Sequence, residues 1–127
     1  MVKSAAILFG IVFLVVGILG YFPAISPPDA NGMPMLLHIF MVNNAHNIVH
    51  IASGIVFLLC GLAGAGASSA FFKIFGIVYA LVAILGFNKG EGMLLGLISN
   101  NVADTWLHVV LAAVMLFLGF GAGKQSA

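Results

Sequence analysis

The chain is short of charge. Only 6% of its 127 residues are charged: four lysines, no arginine and three acidic residues. A soluble domain carries about 25% charged residues, whereas 63% of this chain is apolar and its mean hydropathy is +1.25. This composition excludes an ordinary water-soluble domain and predicts an integral membrane protein. The net charge of +1 provides no basic patch for nucleic acid, so the expected partner is the lipid bilayer.

Cysteine and proline are also scarce. Cys60 is the sole cysteine, which excludes an intramolecular disulfide and a cysteine-based metal motif. The four prolines all lie in the segment 23–34, together with Asp29 and an Asn-Gly turn pair. Because proline cannot continue a helix, this segment predicts an ordered or extended loop.

Long uncharged runs make up most of the remaining sequence. Each approaches the roughly 20 residues needed to cross a bilayer. The predicted spans are 5–22, 45–64, 71–87 and 102–120. Two shorter apolar runs, 35–42 and 93–99, precede the second and fourth spans and are too short to cross. They are expected to be interfacial, re-entrant or lead-ins to the next helix. The expected fold is an all-α integral membrane protein, with four transmembrane helices in a single domain over residues 1–127.

The first apolar run could be either a signal peptide or a transmembrane span. Its apolar core exceeds the usual length of about 7–15 residues, and no small-residue cleavage site follows it. We therefore interpret it as a true span, with Ser4 as a candidate N-cap. Ser68 and Ser69 similarly indicate the N-cap region of the third span.

The two ends of the chain repeat one pattern. The segment NNAHNIVH at 43–50 recurs as NVADTWLH at 101–108, and FGIV at 9–12 recurs at 75–78. We interpret these matches as a tandem duplication, with repeat 1 at about 3–64 and repeat 2 at about 69–120. Each unit crosses the membrane twice, so the copies are parallel and related by an axis near the membrane normal. The polar faces of the second and fourth spans can then oppose each other.

The lysines predict the orientation. With an even number of spans, one side of the membrane carries Lys3, Lys73 and Lys124, and the other carries Lys89, Asp29 and Glu91. Cytoplasmic segments are enriched in basic residues. Both termini are therefore expected in the cytoplasm.

Both matching helix starts carry a polar face. Residues three, four and seven apart lie on one side of a helix. In the second span this face contains Asn43, His46, Asn47 and His50, and in the fourth Asn101, Asp104, Thr105 and His108. Natural N-caps are Asn43 or Asn44 for the second span and Asn101 for the fourth, and a negative charge at Asp104 suits a helix start. His50 and His108 lie roughly 9–10 Å further in. Small residues beyond them allow close helix approach.

These motifs carry a resemblance to a known family. The N-x-x-H-N-x-x-H and D-x-W-L-H runs resemble a family of small bacterial four-helix membrane proteins, catalogued as a domain of unknown function. The resemblance covers essentially the whole chain, including the helix count and the apolar lead-ins. Thr105 departs from the pattern, which has Asn after the Asp. The resemblance implies the fold and a location in a bacterial inner membrane, and it supplies no activity.

Four residues form the candidate site, named here the His/Asp cluster: His46, His50, Asp104 and His108. One interpretation is an interhelical hydrogen-bond network in which Asp104 accepts from an imidazole, contributing about 0.6 kcal/mol per pair. No nucleophile with its base is visible, so we expect a non-enzymatic protein. It could be an accessory subunit of a larger membrane complex or a homo-oligomer.

The alternative is a bound metal or haem. All four cluster residues could bind Zn(II), Cu(II) or Fe(II), and His50 and His108 could be the two axial ligands of haem b. Ligation of a chlorophyll magnesium by one histidine is also chemically possible. A proton relay is disfavoured, because the cytoplasmic halves of these helices offer only small or apolar residues and Cys60. His38, whose counterpart is Gly96, is expected at the interface, from where it could supply a further ligand.

Overall fold

Four helices account for most of the chain. The structure, a computed structural model, describes residues 1–122. The helices are α1 (Val2–Leu19), α2 (Asn44–Ala63), α3 (Ala65–Lys89) and α4 (Val102–Leu116), and a π-helical segment, Phe117–Ala122, extends α4. All four are long and apolar enough to cross a membrane, with mean hydropathies from 1.7 to 2.5. This confirms the all-α, four-span fold.

The predicted helix starts at serine were wrong. Helix α1 already begins at Val2, so Ser4 is not its cap. Only Gly64 separates α2 from α3, with a φ of 142° that disfavours any other residue. Ser68 consequently lies within the first turn of α3, where its hydroxyl donates to the carbonyl oxygens of Gly64 at 2.8 Å and Cys60 at 3.0 Å. It satisfies carbonyl groups near the end of α2 instead of starting α3.

The two short apolar runs form β-hairpins, which the sequence did not indicate. Strands β1 (Met35–Leu36) and β2 (Phe40–Met41) form the first β-hairpin, before α2. Strands β3 (Gly92–Leu94) and β4 (Ile98–Asn100) form the second, before α4. Antiparallel pairing satisfies backbone groups internally, which a short apolar segment near hydrocarbon requires.

The proline-rich segment is an ordered loop, as predicted. The Asp29 carboxylate accepts hydrogen bonds from the backbone N–H groups of Asn31 at 2.8 Å and Met33 at 2.9 Å. Ser26 donates to the carbonyl oxygen of Leu19 at 3.0 Å, which ties the start of the loop to α1. The loop therefore holds the first β-hairpin against the end of α1.

Close helix packing occurs within each half of the chain. Helix α1 packs along α2, and α3 along α4. A Cβ on Gly10 would lie 2.9 Å from the carbonyl oxygen of Gly54, and a Cβ on Gly76 would lie 2.9 Å from Leu116 Cγ. The small residues thus bring α2 close to α1, and not to α4.

The same positions are buried in both halves. Adding 66 to the residue number of a buried position in α1 gives a buried position in α3, as for 2 and 68 or 10 and 76. For α2 and α4 the difference in residue number is 58, as for 46 and 104 or 50 and 108. This matching supports the proposed duplication. The duplication and its axis remain predictions.

Candidate functional site: the histidine cluster between the halves

Three histidine rings meet between α2 and α4. The rings of His46 and His50 stack, with centroids 4.7 Å apart and planes at 17°. The His46 ring also lies 6.2 Å from that of His108. All three side chains are buried, with exposed fractions of 4%, 6% and 5% in chain order. The two helix starts that carry them therefore face each other through side chains.

The asparagines and Asp104 organise the two helix starts. Asn43 Oδ1 accepts from the backbone N–H of His46 at 2.8 Å, and Asn101 Oδ1 accepts from that of Asp104 at 2.9 Å. The Asp104 carboxylate accepts in return from the Asn101 N–H at 3.1 Å, which completes a capping box. The asparagine N-caps are thus confirmed, and α2 uses Asn43 rather than Asn44. Across residues 1–122, Asp104 forms no hydrogen bond with an imidazole, and its carboxylate accepts from the backbone of Asn101 instead.

The amide nitrogens of the same asparagines cross to the opposite half. Asn43 Nδ2 donates to the carbonyl oxygen of Leu97 at 3.1 Å, in the turn of the second β-hairpin. Asn101 Nδ2 donates to that of Ile39 at 2.9 Å, in the turn of the first. Sequence reasoning assigned these residues only to capping. The sequence did contain one indication of a second role: capping uses only the oxygen of an asparagine side chain, which leaves its NH₂ group free to donate elsewhere.

His46 is held by the second β-hairpin. Its Nδ1 lies 3.3 Å from Ser99 Oγ, and the Ser99 hydroxyl donates to the carbonyl oxygen of Met41 at 3.3 Å. While the Ser99 hydroxyl donates to Met41, the tautomer of His46 with its proton on Nδ1 can donate to Ser99 Oγ. The His46 Nε2 is then left as an acceptor. Ser99 is fully buried, and sequence reasoning missed it because its counterpart in the first half is Met41.

His50 and His108 occupy matching environments. The His50 ring packs edge-on against Phe13, with centroids 5.4 Å apart, and the His108 ring packs in the same way against Tyr79 at 5.2 Å. Nδ1 of each histidine is buried and has no hydrogen-bond partner among the described residues. An unpaired buried polar atom costs about 1–3 kcal/mol.

Two cavities adjoin the cluster at equivalent places. The larger, about 250 Å³, lies between α1, α2, α4 and the first β-hairpin and is lined by His46, His50 and Asp104 among apolar side chains. The smaller, about 80 Å³, lies between α2, α3, α4 and the second β-hairpin and is lined by His46, His108 and Tyr79. Each cavity therefore contains one of the histidines whose Nδ1 is unpartnered.

Thr105, the departure from the family pattern, has a defined role. Its hydroxyl donates to the carbonyl oxygen of Asn101 at 3.2 Å and accepts from Asn100 Nδ2 at 3.0 Å. It also packs directly on Gly86 of α3, where no Cβ would fit. Thr105 therefore fixes the start of α4 against α3.

His38 lies away from the cluster. It is exposed at the turn of the first β-hairpin, with a φ of 62°. Its left-handed conformation matches that of Gly96 in the second β-hairpin, with a φ of 70°. The location agrees with an interfacial side chain rather than a further ligand.

The predicted metal ligands lie close together in the structure. In the part of the chain that the structure describes, no group of three or more His, Cys, Asp or Glu residues is arranged to hold a metal ion. His46 and His50 stack on each other, and Asp104 caps α4. Metal binding by these residues, and haem ligation by His50 and His108, stay predictions.

Four apolar helices and a buried polar cluster define a small helical membrane protein. Residues 3–121 match the family described as a domain of unknown function, DUF4383, and the chain belongs to that family. This confirms the resemblance inferred from the motifs. No curated protein and no solved structure matches the chain.

Proposed function

We propose that this is a non-enzymatic integral membrane protein in which the His/Asp cluster joins the two halves of the bundle. The observation that carries this proposal is the position of His46. Its ring stacks on His50 of the same helix, approaches His108 of α4 and bonds to Ser99 of the second β-hairpin. Polar contacts of this kind between membrane helices contribute about 0.6 kcal/mol on average. The cluster thus fixes the register of α2 and α4, whose backbones do not pack closely.

The location we propose is a bacterial inner membrane, with both termini in the cytoplasm. The distribution of the lysines supports this orientation. Many large apolar side chains on the outer faces of the helices are exposed, Leu62 and Leu59 among them. These faces suit contact with lipid, and part of this surface would also suit a second copy or another subunit of a larger complex.

Thermal unfolding of the purified protein tests the structural role. Alanine at His46 or His108 should lower the unfolding temperature, because each substitution removes contacts between the halves. His38→Ala is the matched control, since His38 is exposed and outside the cluster. Equal unfolding temperatures for all three variants and the parent would contradict the proposal.

The alternative is a metal or haem site on the same residues. One observation favours it: Nδ1 of His50 and Nδ1 of His108 have no hydrogen-bond partner among the described residues. A bound ligand could supply the partner that these histidines lack. Elemental analysis and a visible spectrum of the purified protein decide between the two. About one equivalent of Zn, Cu or Fe, or a Soret band, lost in His50→Ala and His108→Ala, would establish the alternative. Metal-free, colourless protein would exclude it.

A further inference from the structure

We propose that the larger cavity binds the head of a neutral, lipid-soluble molecule of the quinone class, with a ring oxygen hydrogen-bonded to His50. The cavity lies beside the His/Asp cluster and is independent of the cluster's role in joining the halves. The proposal concerns binding alone and includes no electron transfer.

The volume suits a single substituted ring. A protein cavity of about 150 Å³ is enough to hold benzene. At about 250 Å³, the cavity can hold a six-membered ring with its oxygen atoms and the beginning of a hydrocarbon tail. The head of a phospholipid, with its phosphate and glycerol, is larger and strongly hydrated.

The cavity can be reached from the side of the bundle. Two of its lining residues, Val12 and Leu37, are themselves exposed, with 48% and 59% of their surface accessible. Val12 lies near the middle of α1, which is a span facing the hydrocarbon of the bilayer. A molecule dissolved in the bilayer could therefore enter sideways and leave its tail among the lipids.

The wall chemistry selects a neutral head with a hydrogen-bonding oxygen. The described residues around the cavity include no lysine or arginine, and the Asp104 carboxylate lies in its wall. An anionic head such as a phosphate would therefore lack a counter-charge. His50 is 94% buried and lines the cavity. Its Nδ1 is enclosed by the protein and has no partner among the described residues, so the ring oxygen would accept a hydrogen bond from Nε2, at the outer end of the imidazole. Phe13 in the same wall would contact the ring.

The second cavity does not provide an equivalent site. At about 80 Å³ it is well below the cavity of about 150 Å³ that holds benzene. It has Tyr79 where the larger cavity has Phe13, and His46 where the larger cavity has Asp104. The chain is therefore expected to bind one such molecule, on the α1 side.

The test is a titration of the protein, labelled with ¹⁵N-histidine, in lipid nanodiscs. Decyl-benzoquinone is the probe, and the ring ¹⁵N resonances of His50 are the readout. Decylbenzene has the same tail without the oxygens, and decyl phosphate has a charged head. We expect a saturable shift of the His50 resonances with decyl-benzoquinone, and none with the other two compounds. No saturable shift, or an equal shift with decylbenzene, would overturn the proposal.

Two matched substitutions locate the site. Val16→Phe fills the larger cavity, and Val82→Phe fills the smaller one at the equivalent position of α3. Val16→Phe should weaken probe binding by about tenfold or more, whereas Val82→Phe should leave it unchanged. Val12→Phe, at the exposed mouth of the larger cavity, provides a second blocking variant if Val16→Phe does not fold. Unchanged binding in the blocking variants would refute the site. These variants keep the His/Asp cluster, so loss of probe binding at an unchanged unfolding temperature separates this proposal from the structural one.

Discussion

Asn43 and Asn101 each cap a helix with one end of the side chain and cross to the opposite half with the other. Asn43 Nδ2 reaches the carbonyl oxygen of Leu97, and Asn101 Nδ2 reaches that of Ile39. Asn43 corresponds to Asn101, and Ile39 to Leu97, with a difference of 58 in residue number for each pair. Exchanged contacts of this kind are typical of a twofold interface, where residue i meets residue j and j meets i. This exchange supports the predicted twofold relation between the two halves.

Replacing each of these asparagines with serine should separate helix capping from the hydrogen bond to the opposite half. Serine keeps an N-cap oxygen but has no amide nitrogen to reach the other half. We expect Asn101→Ser to lower the free energy of unfolding by about 1 kcal/mol or more, and Asn43→Ser by less, because Asn101 is the more buried of the two. Denaturant unfolding in detergent measures both. Asn31→Ser, on the exposed loop, is the control, and a cost there equal to that at Asn101 would count against the crossing contacts.

Removal of the Ser99 hydroxyl should destabilise the protein. In Ser99→Ala, the Nδ1–H of His46 loses its acceptor while remaining buried. A buried donor without a partner costs about 1–3 kcal/mol. Ser4→Ala, at an exposed position, should have no measurable effect on the same unfolding curve. If the two variants unfold alike, His46 is not held by the second β-hairpin.

Packing between α1 and α2 should be sensitive to one methyl group. A Cβ at residue 54 would lie 2.8 Å from the backbone carbonyl oxygen of Gly10, which cannot move aside. Gly54→Ala should therefore cost about 1–3 kcal/mol. Gly66→Ala is the matched control on α3, where a Cβ meets nothing within 4 Å, and it should raise stability by up to about 1 kcal/mol. Similar destabilisation in both variants would argue against the packing described here.

The turn of the first β-hairpin should accept glycine. His38 has a left-handed φ of 62°, which L-residues adopt at a cost of about 1–2 kcal/mol. Glycine relieves that cost but adds freedom to the unfolded chain. We expect His38→Gly to leave the unfolding temperature unchanged or slightly raised. Gly96→His, the reverse change in the second β-hairpin, should lower it. A large loss of stability in His38→Gly would place His38 in the site after all.

The helices could be predicted because hydrocarbon imposes a length and a composition on each span. The cluster could be located because polar residues at helical spacing stand out in an apolar sequence. The β-hairpins could not be predicted, since 35–42 and 93–99 are apolar on both faces and show no strand-like alternation. The start of α3 was also missed, because Gly64 alone turns the chain and the glycines around it indicated a longer connection.

The partners of polar groups were harder to predict than their positions. Among the residues that the structure describes, the bond expected between Asp104 and an imidazole does not form, and the carboxylate accepts from the N–H of Asn101. Ser99 was missed because a strand, rather than a helix face, brings it to His46. Side chains from different elements meet according to how the elements pack, and a single sequence does not contain that information.

Magnetisation transfer between histidine rings tests the central claim most directly. The chain has four histidines, so a sample labelled only at histidine gives a simple solid-state NMR spectrum in bilayers. The account predicts transfer between His46 and His50, whose centroids are 4.7 Å apart, and between His46 and His108 at 6.2 Å. His38 should show no transfer to any of the three. A spectrum with no contact between His46 and His108 would contradict the account, because the two halves would then not be joined at these residues.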